Sequence, residues 1–111
     1  MFEKDLNMGY LLDFYGELLS ERKRIVMDMY YNEDFSLAEV AEEIGISRQG
    51  VRDIVKKAEE ELSFYEEKLG LAQKMSKVEE YSASLSSLTE KYDLPEEIKK
   101  QILLLSQAVQ Q

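Results

Sequence analysis

Apolar side chains recur every three or four residues along most of this chain, which is the spacing of one face of an α-helix. The first such stripe consists of Leu6, Tyr10, Phe14 and Leu18, with Leu11, Tyr15 and Leu19 beside it. It predicts a first helix with a broad apolar face. We interpret its aromatic side chains as core residues rather than as a ligand-binding cage.

A second helix is predicted to begin after Ser20, because a serine hydroxyl can accept a hydrogen bond from a free N–H group of the first turn. Its predicted inner face consists of Ile25, Val26, Met29 and Tyr30. Three cations at positions 22–24 occupy its first turn, where the helix dipole disfavours them. They are interpreted as a solvated face, and the alternative is a second phosphate-binding cluster beside the segment that follows.

The segment from Ser36 to Ala58 predicts a pair of helices joined by a short turn. Ser36 is followed three residues later by Glu39, the spacing of a capping box. The residues that then share one helical face are Val40, Ala41 and Ile44. Gly45 can adopt the left-handed conformation that ends a helix at low steric cost.

The turn and the second helix complete this pattern. Ile46 is the one apolar residue of the turn and is expected to fill the angle between the helices. Ser47 caps the second helix, from which Val51 and Ile54 face back toward the first. Together these features are typical of a helix-turn-helix motif. The alternative is an αα-hairpin that only packs.

The second helix of the motif continues beyond it. An apolar seam runs along the extension with steps of four and three residues, through Val51, Val55, Ala58, Leu62, Tyr65 and Leu69. Gly70 is predicted to end this helix. A further stripe then begins, formed by Leu71, Met75, Val78, Tyr81, Leu85, Leu88 and Tyr92.

The chain breaks at Asp93-Leu94-Pro95, and we expect Pro95 at the first position of a last helix. The apolar stripe of that helix consists of Ile98, Ile102, Leu105 and Val109. The pattern therefore predicts an all-α fold. A helix-turn-helix domain with a long recognition helix spans residues 1–70, with its motif at 36–58, and a helical hairpin at 71–111 serves in packing or dimerisation.

Candidate nucleic-acid contacts lie on the side of the second motif helix opposite to the seam. They are Ser47, Arg48, Gln49, Arg52, Lys56 and Lys57. Arg48 and Gln49 occupy the first turn, which usually reaches base edges in the major groove, where arginine pairs with guanine and glutamine with adenine. The other cations are suited to contact phosphates, and the Ser47 hydroxyl at the helix N-terminus can also bind a phosphate.

Asp53 does not fit this cationic face, because a carboxylate repels phosphate. It could accept a hydrogen bond from a cytosine amino group. The favoured interpretation is an ion pair with Lys56 or Lys57 at helical spacing.

The overall charge argues against duplex binding by a single chain. The 111 residues carry a formal net charge of −9, whereas DNA-binding domains are usually basic. Residues 47–58 nevertheless hold four cations against one carboxylate. About four phosphate contacts are therefore expected per chain, and tight binding needs a dimer, a bent target or a tethering partner. A homodimer is the expected form.

Composition excludes several other classes of protein. The chain has no cysteine and no histidine, which excludes disulfides, thiolate chemistry and the usual zinc sites. Its many carboxylates are spread over predicted helix surfaces, so we expect no enzymatic activity and no cofactor or metal. No apolar run reaches membrane-spanning length and the N-terminus is not a signal peptide, which predicts a cytoplasmic protein without membrane contact.

Two resemblances extend this interpretation. Residues 35–62 resemble region four of bacterial sigma factors, which binds the −35 promoter element. The resemblance implies base contacts by Arg48 and Gln49 and a phosphate contact by Arg52. Asp53 departs from the glutamine often found at its position, which argues against promoter-like readout.

Residues 18–71 resemble the YlxM family of small helix-turn-helix proteins. The matching residues are the pair Tyr30-Tyr31 with Glu33-Asp34, the turn Ile46 to Gln49, and Tyr65-Glu66 with Lys68-Leu69. The resemblance implies a part in the signal recognition particle pathway. Two functions stay open: a DNA-binding regulator connected with that pathway, or an accessory factor that binds the particle's RNA or GTPase.

Overall fold

A computed structural model describes Lys4 and residues 6–110, and these residues form six α-helices and no strand. The helices are α1 (Leu6–Tyr15), α2 (Glu21–Met27), α3 (Leu37–Ile44), α4 (Arg48–Leu69), α5 (Leu71–Lys91) and α6 (Glu96–Val109). A 3₁₀ turn at Gly16–Leu18 follows α1, and a π-helical turn at Asp28–Asn32 follows α2. The predicted all-α fold is confirmed. Within the described residues no helix combines the length and apolar character needed to span a bilayer.

The chain divides into two compact units between Gly70 and Leu71. In the first unit α4 is central, because it packs against α1, α2 and α3. The predicted seam of α4 is confirmed along most of its length, where four side chains are fully buried: Val51, Val55, Ala58 and Leu62. The seam prediction is wrong at Leu69, which is 53% exposed. Gly70 ends α4 in the left-handed conformation, as predicted.

The buried face of α1 is rotated from the predicted one. The buried residues are Met8, Leu11, Leu12, Tyr15 and Leu19. Tyr10 and Phe14 are only half-buried, Leu18 is 57% exposed, and the Leu6 side chain lies outside the described part. The prediction assumed 3.6 residues per turn throughout, but α1 ends at Tyr15. The tighter 3₁₀ turn that follows directs Leu18 outward and Leu19 inward.

Helix α2 begins as predicted, because the Ser20 side chain accepts a hydrogen bond from the Lys23 N–H. Its inner face consists of Val26, Met27 and Tyr30, with Met29 half-buried. Ile25 was predicted there and is instead 39% exposed. The buried face of α2 is centred on Val26 and Met27, which leaves Ile25 beside it. The π-helical turn adds a residue to one turn and shifts the register of the residues after it.

The π-helical turn places two tyrosines against α4. The Tyr31 hydroxyl donates a hydrogen bond to the Glu59 carboxylate. Burial and the neighbouring Glu59 charge raise the pKa of Tyr30 above its ordinary value. Tyr15 also reaches α4, where its hydroxyl lies 2.6 Å from a Glu66 carboxylate oxygen. Aromatic hydroxyls on two earlier segments therefore fix the position of the long helix.

The second unit is a helical hairpin, in which α5 and α6 pack against each other. Pro95 lies one position earlier than predicted, at the N-cap, where its carbonyl accepts hydrogen bonds from Ile98 and Lys99. Large apolar side chains stay exposed on both helices and at Tyr92 between them: Leu71, Val78, Tyr81, Leu85, Leu88, Tyr92, Ile98, Leu103, Leu104 and Leu105. The hairpin thus carries more apolar surface than its own packing covers.

Candidate nucleic-acid interface

The first helix of the motif begins at the predicted capping box. The Ser36 hydroxyl oxygen accepts a hydrogen bond from the Glu39 N–H at 3.1 Å, and the Glu39 carboxylate accepts one from the Ser36 N–H at 3.0 Å. These bonds favour the ionised carboxylate and lower the pKa of Glu39. The side chains that α3 buries are Leu37, Val40 and Ala41. The capping box therefore fixes where α3 starts, and the buried residues fix its rotation.

The turn between α3 and α4 is three residues long. Gly45 adopts the left-handed conformation with φ of +82°, and the N–H groups of Gly45 and Ile46 both donate to the Ala41 carbonyl. Ile46 is half-buried, and the Ser47 hydroxyl caps α4 by accepting from the Gly50 N–H at 2.9 Å. The turn chemistry predicted for this segment is confirmed.

Gly50 contributes to this turn in a way that sequence reasoning missed. A Cβ atom at Gly50 would lie 3.2 Å from the Ser47 Oγ and 3.4 Å from the Ile46 Cδ1. The absence of a side chain therefore lets the turn close tightly over the first turn of α4. The available signal was a glycine inside a predicted helix, where it costs up to about 1 kcal/mol relative to alanine.

The candidate contact residues all lie on the exposed side of α4 or at its N-cap. The exposed side chains are Ser47, Arg48, Gln49, Arg52, Lys56 and Lys57. On the opposite side Val51 is fully buried and Ile54 is half-buried. The orientation that the sequence predicts is therefore present. Contact of these residues with nucleic acid stays a prediction.

Asp53 has a different partner from the one expected. In the described part of the chain, its carboxylate accepts a hydrogen bond from the Gln49 Nε2 at 3.0 Å, rather than pairing with Lys56 or Lys57. Residues at i and i+4 on a helix face each other, and a glutamine–aspartate pair satisfies this geometry as well as an ion pair does. The bond uses one of the two N–H groups of the Gln49 amide, so recognition of adenine by Gln49 has to use the other N–H together with the carbonyl oxygen.

The cationic first turn of α2 is only partly available for phosphate. The Lys23 Nζ lies 2.5 Å from a Glu61 carboxylate oxygen on α4, and its side chain is only 26% exposed. Arg22 and Arg24 are exposed. The alternative of a second phosphate-binding cluster therefore rests on two arginines, because the lysine forms an ion pair between helices.

A depression of about 450 Å³ lies where α3 begins, and its rim includes Arg48 at the start of α4. Asp34 precedes α3 with a φ of +57°, and the Lys4 Nζ lies 2.8 Å from its carboxylate. This ion pair lowers the pKa of Asp34. The Lys4 ammonium group also lies 4.5 Å from the centroid of the Tyr30 ring. Sequence reasoning missed Lys4, because no periodic pattern includes it.

The exposed surface of α4 changes sign along its length. Its first ten residues carry four exposed cations, Arg48, Arg52, Lys56 and Lys57, and one exposed carboxylate, Asp53. The next ten carry the exposed carboxylates Glu60 and Glu67, and the half-buried Glu59, Glu61 and Glu66, which bond to other helices. The positive half coincides with the part of the helix that follows the motif turn. The negative half cannot follow a duplex, since carboxylates repel phosphates.

Two helices joined by a three-residue, glycine-hinged turn, with the second helix exposed along one side, define a helix-turn-helix protein. The family model described as "UPF0122: Putative helix-turn-helix protein, YlxM / p13 like" matches residues 2–105. The chain therefore belongs to this family, which confirms the resemblance drawn from the sequence. The family's description points to a protein that is not an enzyme.

Similar proteins cover nearly the whole chain. The UPF0122 protein of Halalkalibacterium halodurans is 46% identical over 98 residues, which span 88% of this chain and 90% of the relative. A UPF0122 protein of Listeria welshimeri is 44% identical over 100 residues, spanning 89% of this chain and 91% of the relative. One from Bacillus cereus is 43% identical over 103 residues, spanning 93% and 94%. The similarity includes the α5–α6 hairpin as well as the motif.

Proposed function

We propose that this chain is a cytoplasmic, non-enzymatic regulator that binds duplex DNA through the N-terminal half of α4 without a cofactor. The observation that carries the proposal is the two-sided character of this half-helix. Val51 and Val55 are fully buried, while the candidate contact residues are exposed on the other side. An exposed recognition helix after a tight turn is the geometry with which helix-turn-helix proteins enter the major groove.

The proposed contacts divide into two kinds. Arg48, in the first turn of α4, contacts base edges, with guanine as the preferred base. Arg52, Lys56 and Lys57 contact phosphates, and Ser47 contributes its hydroxyl at the helix N-terminus. Gln49 contributes to readout through its carbonyl oxygen and its second amide N–H, while Asp53 accepts a hydrogen bond from the first. Hydrogen bonds to phosphate fix the position of the protein, and the first turn supplies the sequence preference.

We also propose that the DNA-binding form is a homodimer. The three cationic phosphate contacts per chain, from Arg52, Lys56 and Lys57, correspond to a salt slope of about −2.7, which describes weak binding at physiological salt. Two copies double the number of contacts and match two half-sites. The exposed apolar surface of the α5–α6 hairpin supports this proposal, because such patches mark interaction sites.

Substitutions at Arg48 and Lys56 are expected to have different effects on DNA binding. Arg48→Ala relaxes base preference at one position, because it removes a contact to a base edge. Lys56→Ala weakens binding evenly across sequences and reduces the salt slope by about 0.9, because it removes one phosphate contact. Duplexes selected from a random library with the unmodified protein serve as probes, and fluorescence anisotropy at four salt concentrations gives both quantities.

Lys74→Ala is the matched control, since Lys74 is an exposed lysine of α5, outside the motif. It removes the same charge and is expected to leave the salt slope unchanged. The proposal fails if duplex binding is absent or independent of salt. It also fails if Lys56→Ala and Lys74→Ala change the slope equally.

The second candidate function is an accessory factor that binds the RNA or the GTPase of the signal recognition particle. The observation that favours it is the charge distribution, with nine Lys and Arg against seventeen Asp and Glu in residues 1–70. This acidic unit opposes duplex DNA and attracts basic proteins. Affinity capture from bacterial lysate, with and without nuclease, is expected to retain targeting components. If nuclease abolishes the capture, the partner is the RNA. If these components are absent from both samples, this candidate function is rejected.

A further inference from the structure

The C-terminal half of α4 carries an exposed aromatic ring between carboxylates. The Phe64 side chain is 54% exposed. Glu60 lies one turn before it and Glu67 one turn after it, at i, i+4 and i+7 spacing. The three side chains therefore share one side of the helix. They line a shallow groove of about 360 Å³, together with Glu59, Ser63 and, at one end, the cation Lys56.

Two of the three carboxylates of this groove, Glu60 and Glu67, are available to a partner. Glu60 and Glu67 are exposed, and neither side chain has an ion pair or hydrogen bond with another described residue. They are separated by about 10 Å along the helix axis. The ring between them already attracts a cation, since the Lys68 Nζ lies 5.6 Å from its centroid. A positively charged ligand therefore finds both ion-pair and cation–π partners here.

We infer that Glu60, Phe64 and Glu67, the acidic face of α4, bind an arginine- or lysine-rich protein segment. Charge complementarity selects this occupant, because carboxylates repel nucleic acid and an exposed phenyl ring favours a guanidinium or ammonium group. The inference goes beyond the proposed DNA contacts and uses different residues.

The acidic face lies on the same side of α4 as the proposed DNA contacts. Lys56, Glu60 and Glu67 fall within about 40° of each other when successive residues are rotated by 100°. The exposed surface is thus continuous along the helix, and its sign reverses after Lys57. A basic segment bound at Phe64 would lie directly beyond the end of a bound nucleic acid and could contact both. The two sites together suit a protein that connects a basic partner to a nucleic acid.

A fluorescein-labelled octaarginine peptide tests the inference on the full chain. The double variant E60Q/E67Q is expected to weaken peptide binding about fivefold to tenfold at low salt, because two exposed ion pairs are lost. Phe64→Ala is expected to weaken it about threefold through loss of the cation–π contact. The matched control E79Q/E80Q removes two exposed carboxylates from α5 and is expected to change the affinity less than twofold. Circular dichroism confirms that each variant retains its helix content.

Three outcomes would overturn the inference. Equal losses for E60Q/E67Q and E79Q/E80Q would mean that the peptide senses net charge alone. An unchanged affinity after Phe64→Ala would show that the peptide does not contact the aromatic ring. A loss of duplex or RNA binding by E60Q/E67Q would assign the face to nucleic acid. Arg48→Ala is expected to leave peptide affinity unchanged, so failure of the DNA proposal and failure of this one are distinguishable.

Discussion

Leu62→Ala is expected to lower the free energy of unfolding by about 3 kcal/mol, the typical cost of removing a buried leucine and leaving a cavity. Leu62 is fully buried on α4, the helix against which α1, α2 and α3 all pack. The surrounding core relaxes only in part when such a side chain is removed, so a cavity remains. Urea denaturation followed by circular dichroism measures the change, with the slope of the transition checked for constancy.

Leu69→Ala provides the control within the same helix. Leu69 continues the same sequence stripe but is 53% exposed, so its truncation is expected to cost less than about 1 kcal/mol. Both substitutions change leucine to alanine, and the difference in helix propensity between these residues is small compared with the cost of the cavity. Similar losses for the two variants would contradict the burial that the structure assigns to α4. A larger loss for Leu69 would indicate that a partner covers it in solution.

The helix boundaries of the motif could be predicted because their signals are local. Ser36, Glu39, Gly45 and Ser47 act on backbone groups within four residues of themselves, so their roles can be derived without knowing the rest of the fold. The exposed face of α4 was predictable for a similar reason. The apolar residues Val51 and Val55 fix which side is buried, and the polar side follows.

The faces of α1 and α2 were predicted less well, because each helix is followed by a turn of a different pitch. A 3₁₀ turn has about three residues and a π-helical turn has more than four, so an extrapolation at 3.6 residues per turn loses register. Leu18 is the consequence of the first, since it was assigned to the core and is exposed. Ile25 precedes the π-helical turn and is exposed because the buried face of α2 is centred on Val26 and Met27. No residue type in these segments marks the change of pitch.

The partners of charged side chains were the least predictable part of the site. Lys23 and Glu61 are 38 residues apart, and only the packing of α2 on α4 brings them together. Asp53 has several possible hydrogen-bond or ion-pair partners at helical spacing, and the interaction energies of such pairs differ by only a few tenths of a kcal/mol. The bond to Gln49 is therefore decided by side-chain geometry rather than by sequence.

The α5–α6 hairpin leads to the second prediction of large effect. The unmodified chain, with a mass of 12.9 kDa, is expected to sediment as a dimer of about 26 kDa. Leu85→Glu with Leu88→Glu is expected to give the monomer, because both leucines are exposed on the same stripe of α5 and a buried carboxylate is costly. Analytical ultracentrifugation measures the mass. The salt slope of duplex binding is expected to fall by half in this variant, since each bound unit loses one copy.

Charge explains why a second copy suits this surface. Residues 71–111 carry five Lys and Arg against six Asp and Glu, so two hairpins can approach without the repulsion that the strongly acidic residues 1–70 would produce.

Ser84→Glu with Ser87→Glu is the matched control, because these exposed serines lie on the same helix and the variant adds the same charge. It is expected to stay dimeric. Monomeric behaviour of the unmodified chain, or equal dissociation of both variants, would reject the hairpin as the dimer interface and leave its apolar face to another protein.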